Sequence, residues 1–166
     1  MTSDHPATFN KAHSNAKLLM NDGFFFDVIE ETAPFGSDDG SGAYASFNDW
    51  RKNHPSESPV NFLKQQINEW DYPKFDIEQT ELEKLKPYLK DDEMNIQFMT
   101  RIDQAIVATA FGQLYLEGTV DNDIKELAKK SIHRELLPEI LKPWGDYASI
   151  REINLNKLLV VLNKVK

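Results

Sequence analysis

Carboxylates are concentrated between Met20 and Asp49, where the sequence holds seven acidic residues and no Lys, Arg or His. The whole chain has a net charge of −8, so this stretch accounts for most of the excess negative charge. Asp27 precedes Glu30 and Glu31 by about one helical turn, which would bring like charges face to face on a helix. Acids arranged in this way can bind a cation, meet a basic partner, or cap helices.

A divalent cation is the first chemistry that such a cluster predicts. Mg²⁺ and Ca²⁺ select carboxylate and carbonyl oxygens, and a bound cation would relieve the repulsion among the acids. It would also lower the pKa of a bound water, which is how metal-dependent hydrolases generate their nucleophile. Under this hypothesis, the ligands of an all-carboxylate hydrolase site are Asp27, Glu31, Asp38 and Asp39. Outside this hypothesis, the sequence predicts no cofactor.

An acidic binding surface is the other functional interpretation of the same residues. Three consecutive phenylalanines, residues 24–26, cannot all face one way on a helix, so one of them is available as an aromatic contact. An aromatic side chain amid acids is a credible anchor for a protein partner. The residues of this candidate surface are Asp22, Phe26, Asp27, Glu30, Glu31, Asp38 and Asp39. The structural alternative is that Asp38 and Asp39 complement a helix dipole while the other acids are solvated.

Several common sites are excluded by their missing motifs. The chain has no H-E-x-x-H motif and no Glu three residues before a His, which removes zincin proteases and the usual helical di-iron signature. The glycine-bearing segment Gly36–Gly42 has neither the Lys of a P-loop nor the G-x-G-x-x-G spacing. Aligning Gly40 with the glycine of an EF-hand loop puts Phe35 and Ser46 where carboxylates are required.

Composition favours a soluble globular protein. The chain has 166 residues, of which 40% are hydrophobic and 28% charged, so it is long enough to bury one core. It contains no cysteine, which fits a reducing cytoplasm, and no apolar run that approaches the roughly 18 residues of a membrane span. An acidic body repels phosphate, so nucleic acid is not an expected partner.

Apolar periodicity and helix-capping residues predict an all-α fold. We expect a loose N-terminal arm over residues 1–12 and a single helical domain over residues 13–166, an irregular bundle of about six to eight helices. The longest periodic segment, residues 93–117, should be the central helix and should end at Gly118. The other expected helices cover residues 14–20, 23–31, 39–53, 59–70, 77–89 with a kink at Pro87, 121–136 and 148–165.

The run FFFDVIEETAPFGSDDG, followed by Trp50–Pro55, resembles the YfeS-like family of bacterial proteins. The shared features are an aromatic residue before an Asp, an acidic pair, Pro-Phe-Gly-Ser-Asp, and then Trp-Arg. The resemblance implies a small bacterial cytoplasmic protein, and it assigns no activity to particular residues. Small acidic helical proteins also resemble, in composition, immunity proteins that neutralise basic toxins.

Two functional hypotheses follow from these residues. The favoured one is a non-enzymatic protein-interaction module that presents the acidic stretch to a basic protein, with neither membrane nor nucleic acid as partner. The alternative is the metal-dependent hydrolase, with Mg²⁺ or Ca²⁺ on the four carboxylates. The sequence leaves the oligomeric state open.

Overall fold

The computed structural model describes residues 7–166, and within that range it contains helices and no strands. This confirms the predicted all-α bundle. The described residues form eight α-helices, joined by turns and three 3-10 helices: α1 Ser14–Leu19, α2 Asp38–Asn53, α3 Pro59–Trp70, α4 Leu82–Asp91, α5 Asn95–Glu117, α6 Asn122–Glu135, α7 Pro138–Leu141 and α8 Ala148–Lys164. None of the helices in this range is long and apolar enough to cross a membrane.

The central element is α5, as the apolar periodicity predicts. Its side chains are buried on nearly every face from Ile102 to Tyr115, because α2 and α6 pack against it and α1, α3 and α4 cover what remains. It ends at Gly118, whose left-handed φ of 78° closes the helix and lets its N–H reach the Leu114 carbonyl.

Local capping fixes the starts of α2 and α3. The Ser37 hydroxyl accepts a hydrogen bond from the Gly40 N–H at 2.9 Å, and Ser58 does the same for Val60 at 3.1 Å. Pro59 occupies the first turn of α3, where its missing N–H is no loss. Both starts match the sequence-based prediction to within one residue.

The helix predicted for residues 23–31 is wrong. Only Gly23–Phe26 is helical, as a short 3-10 turn, and the chain then runs without regular structure to α2. The Asp27 carboxylate accepts the N–H groups of Ile29 and Glu30 at 2.8 and 3.0 Å, so it offers the backbone a turn in place of a helix. The apolar residues of the predicted helix therefore do not share a buried face, and Val28 and Ile29 are 58% and 84% exposed.

The N-terminal segment is more closely packed than a loose arm from residue 7 onward. Ala7 and Ala12 are buried, and the Thr8 N–H donates to the Tyr115 hydroxyl at 3.1 Å. Small side chains allow this close approach to α5. Residues 1–6 lie outside the described range, so the remainder of the predicted arm is untested.

The last helix also differs from its prediction in the face that it buries. Ile150 and Ile153 follow the apolar periodicity of the helix predicted over residues 148–165, but both are exposed. The buried face of α8 carries Arg151 and Asn154 together with Leu155 and Leu158. Polar side chains thus occupy core positions that periodicity alone assigns to isoleucines.

Candidate functional site

The site is built around the acidic loop, which we define as residues 27–37, between the Gly23–Phe26 turn and α2. Its entry is fixed by Asp22, whose carboxylate accepts the Phe24 N–H and pairs with Lys157 of α8, both at 2.9 Å. The Phe24 N–H and then Lys157 lower the pKa of Asp22. The contacts of Asp22 therefore stabilise the start of the acidic loop.

Phe26, which the sequence offers as the aromatic anchor, is half-buried. Its ring lies edge-on to Phe9 with centroids 5.8 Å apart, and it also meets Tyr115 at 6.2 Å. The side chains that the loop leaves in solvent are instead Val28 and Ile29. The exposed apolar side chains of the loop are therefore aliphatic, in place of the aromatic one that was expected.

Two hydrogen-bonded links hold the acidic loop, one to Tyr147 just before α8 and one to Asn154 within α8. Glu30 accepts the Thr32 N–H at 3.2 Å and the Thr32 hydroxyl at 2.7 Å, and it also accepts the Tyr147 hydroxyl. Asn154 donates to the Thr32 hydroxyl at 2.9 Å. Glu30 is therefore used to position the loop.

The remaining acids point toward open space. Asp27, Glu31 and Asp38 are exposed and make no ion pair with any residue in the range 7–166. The backbone N–H groups of Ile29 and Glu30 lower the pKa of Asp27, so it stays ionised. These three carboxylates give the surface a negative charge without an internal counterion.

A groove of about 490 Å³ lies beside the loop, between the start of α2 and the first half of α5. Glu31, Asp38 and Asp39 contribute its acids, and Arg101 lies opposite them. The Arg101 Nε is 3.8 Å from an Asp39 oxygen, a long ion pair. Burial raises the pKa of Asp39 above its usual value; the Arg101 charge opposes this rise and the Asp38 charge adds to it.

The four predicted metal ligands are not brought together in one cluster. Within residues 7–166 no group of three or more His, Asp or Glu side chains is arranged to hold a metal ion. Asp27 is committed to the backbone turn, whereas Asp38 and Asp39 occupy the first turn of α2, after a loop that is not helical. The expected helix would have aligned Asp27 with Glu31, and its absence removes that alignment.

Sequence reasoning missed a cluster of four buried charged side chains. The Arg134 Nη2 donates to Asp103 at 2.6 Å, and the Arg151 Nη2 donates to Glu135 at 3.0 Å. All four side chains are almost fully buried. A buried charge is strongly destabilising unless it has a partner. The sequence feature that could have revealed this cluster is the presence of four charged residues at core positions of α5, α6 and α8.

Glu135 and Arg151 are the incompletely bonded members of this cluster. Glu135 Oε1 accepts from Thr100 and Arg151, but its Oε2 has no partner, and Arg151 Nε and Nη1 also have none within the described residues. Burial, followed by the charge of Asp103, raises the pKa of Glu135 well above its usual range. Trp144 covers the Arg151 guanidinium at 4.1 Å from its ring centre.

Trp144 also lines a depression on the protein surface, outside the cluster of buried charges. A shallow depression of about 590 Å³ is lined by Ile29, Trp144 and Tyr147 together with the acids of the loop. Exposed aliphatic, half-buried aromatic and carboxylate groups therefore meet at one place. Aromatic side chains are enriched at protein–protein interfaces, and charged ones are depleted at their centres.

Fold and site together define the chain as an all-α bundle that presents an acidic loop. No protein-family model matches the chain, and no solved structure matches it. It is similar to the uncharacterized protein YfeS of Escherichia coli (strain K12), with 24% identity over 136 residues. The match covers 81% of this chain and 54% of YfeS, so the chain spans about half the length of that curated relative. The similarity agrees with the resemblance seen in the sequence.

Proposed function

We propose that the chain is a non-enzymatic protein-interaction module that binds a basic protein through the acidic loop. The observation that carries this proposal is Ile29, which is 84% exposed beside Asp27 and Glu31, two carboxylates that form no ion pair within residues 7–166. An exposed aliphatic side chain costs free energy in water, and ionised acids around it favour a cationic partner. The exposed isoleucine and the acids around it together favour a partner whose basic surface has an apolar centre.

The loop is prepared for binding by its contacts with α8. Because Glu30 is held by Tyr147 and Thr32 is held by Asn154, little backbone freedom remains to be lost on association. Ile29 shares its depression with Trp144 and Tyr147, the residue types that most often dominate binding energy at interfaces. The proposed contact surface therefore extends from the loop to the segment before α8.

The charge of the surface sets the kinetics expected for such a complex. Like-signed carboxylates speed the approach of a basic partner, and salt screens them over about 8–10 Å. The absence of cysteine is consistent with a partner in the cytoplasm. A basic toxin neutralised by its immunity protein is one pair with this chemistry.

A comparison of matched variants tests the proposal. Purified chain is used to capture partners at low salt, and any basic protein that is retained is then titrated in isolation. Val28→Ser with Ile29→Ser, and separately Glu31→Gln with Asp38→Asn, should each weaken binding about tenfold or more. Val160→Ser and the pair Glu69→Gln with Glu93→Gln remove exposed groups elsewhere and should leave the affinity unchanged.

The proposal fails if the isolated partner binds the loop variants and the control variants equally well. It also fails if no basic protein is retained at low salt. Circular dichroism of each variant confirms that the fold is intact, which separates loss of contact from loss of structure.

A further inference from the structure

Helix α8 carries apolar side chains on two opposite faces. One face packs into the core through residues such as Leu155 and Leu158. The other face holds Ile150, Ile153 and Val160, which are 53%, 59% and 50% exposed. Single exposed apolar side chains are common on protein surfaces, but a helix that is apolar on both faces is usually covered on both.

The exposed apolar residues of α8 belong to a heptad pattern. Its positions are separated alternately by four and three residues, the spacing at which two helices pack along a common seam. The pattern starts in the 3-10 turn just before α8, and every member is exposed or half-exposed. We call these six residues the α8 seam: Asp146, Ile150, Ile153, Lys157, Val160 and Lys164. At the helical rise per residue, the seam is roughly 27 Å long.

The α8 seam is complementary to a reversed copy of itself. In an antiparallel pair related by a two-fold axis, the first position of the seam faces the last, the second faces the fifth, and the third faces the fourth. The facing pairs are then Asp146 with Lys164, Ile150 with Val160, and Ile153 with the stem of Lys157. Each pair joins opposite charges, two aliphatic side chains, or an aliphatic side chain and a methylene stem.

A parallel pair would lack this complementarity. Each residue would face its own counterpart, so the two Asp146 carboxylates and the two Lys164 ammonium groups would repel each other. Neither residue forms an ion pair within residues 7–166, so both are available to a second copy. The distribution of charge along the seam therefore selects the antiparallel arrangement.

The middle of the α8 seam also tolerates the approach of a second copy. The charged residue there is Lys157, whose ammonium group pairs with Asp22 at 2.9 Å and lies 5.5 Å from the centre of the Phe24 ring. Its charge is thus compensated within its own chain. The exposed flank beside the seam carries small uncharged residues one heptad apart: Ser149, Asn156 and Asn163.

We propose that the chain forms an antiparallel homodimer through the α8 seam. A contact one helix wide is small for a specific interface, so the dimer forms at high protein concentration and dissociates on dilution. The dimer does not depend on the basic partner proposed above, because Ile29 and the acids of the loop lie outside the seam. At the low concentrations used to titrate that partner the chain is monomeric, so Val160→Ser remains a control there.

Sedimentation equilibrium of the full chain tests the dimer. Between micromolar and near-millimolar concentration, the average mass should rise from that of one chain toward that of two. Ile153→Asp should weaken association about tenfold or more. Met94→Asp, at a residue 41% exposed before α5, is the matched control and should leave association unchanged. A mass of one chain at every concentration, or equal effects of the two variants, overturns the proposal.

Charge reversal tests the facing pair at the ends of the seam. Asp146→Lys and Lys164→Asp should each weaken self-association about tenfold, because each places like charges at both ends. The double variant should associate like the wild type, since reversing both charges restores the attraction between antiparallel copies. Circular dichroism confirms that each variant is folded. A double variant that stays as weakly associated as the single variants contradicts the pairing of Asp146 with Lys164.

Cysteine cross-linking tests the direction of the pair, because the chain has no cysteine of its own. Asn156 lies beside the centre of the seam, so Asn156→Cys should meet its own counterpart and form a disulfide in a glutathione redox buffer. Asn163 lies one heptad further along the same flank, so Asn163→Cys thiols are far apart in an antiparallel dimer. Cross-linking at position 156 but not at 163 is expected. Equal cross-linking at the two positions overturns the antiparallel arrangement.

Discussion

Arg134 and Asp103 form a fully buried ion pair in which one guanidinium nitrogen lies 2.6 Å from a carboxylate oxygen. The same arginine also donates to the carbonyls of Ile77 and Gln79 in the connection between α3 and α4. One side chain therefore joins α5, α6 and a segment without helical structure. Its removal should affect the whole domain.

Loss of either partner of this pair should be strongly destabilising. Asp103→Leu leaves the Arg134 charge buried, and Arg134→Met leaves the Asp103 charge, so each should lower the free energy of unfolding by about 3–5 kcal/mol. Urea denaturation followed by circular dichroism measures the change. The double variant should lose much less free energy of unfolding than the two single variants lose in total. Additive losses would show that the two side chains act independently.

Glu135 should make stability depend on pH with a defined sign. Because its pKa is raised in the folded protein, that state holds the proton more tightly than the unfolded chain does. Its contribution to the free energy of unfolding therefore falls as pH rises from the ordinary value of 4.5 through the folded pKa. Glu135→Gln removes this titration, so its stability relative to the wild type should improve across that window.

Denaturation of both proteins at a series of pH values measures this difference. The comparison is needed because the lowered pKa values of Asp22, Asp27 and Glu117 act in the opposite direction. A difference that is constant with pH would mean that Glu135 is ionised in the folded protein, paired with Arg151.

Tyr147→Phe should loosen the acidic loop without disturbing the bundle. It removes the hydroxyl that donates to Glu30, and a net hydrogen bond is worth about 0.5–1.5 kcal/mol. Amide hydrogen exchange in residues 27–36 should become faster, while exchange in α5 stays slow. Tyr88→Phe, which removes a hydroxyl bonded to the Pro73 carbonyl, is the matched control. If both variants leave the loop equally protected, the Tyr147 contact does not hold it.

Two glycines should respond oppositely to replacement by alanine. A Cβ on Gly36 would lie 2.0 Å from the Glu30 carbonyl oxygen, so Gly36→Ala must displace the loop and should cost about 1–3 kcal/mol or more. Gly42 lies inside α2 with nothing near its added Cβ, so Gly42→Ala should stabilise by about 0.5–1 kcal/mol. Thermal denaturation of the two variants tests both. Similar effects at the two positions would contradict the close approach at Gly36.

The sequence by itself determined the helices whose signals are local. Ser37, Ser58 and Pro59 begin α2 and α3 through contacts within a few residues, and apolar periodicity followed by Gly118 defines α5. These features depend on short-range hydrogen bonds and on one helical repeat. They require no knowledge of what packs against them.

Only the tertiary structure decided the shape of the acidic stretch and the buried charges. Residues 23–31 were predicted to be helical, yet the distant Tyr147 and Asn154 bond to Glu30 and Thr32 in a loop that leaves Ile29 in solvent. Asp103 and Arg134 are separated by 31 positions in the chain, and their attraction is realised only after α5 and α6 pack. Periodicity describes the face of one helix, whereas the partner of a buried charge is set by which helices meet.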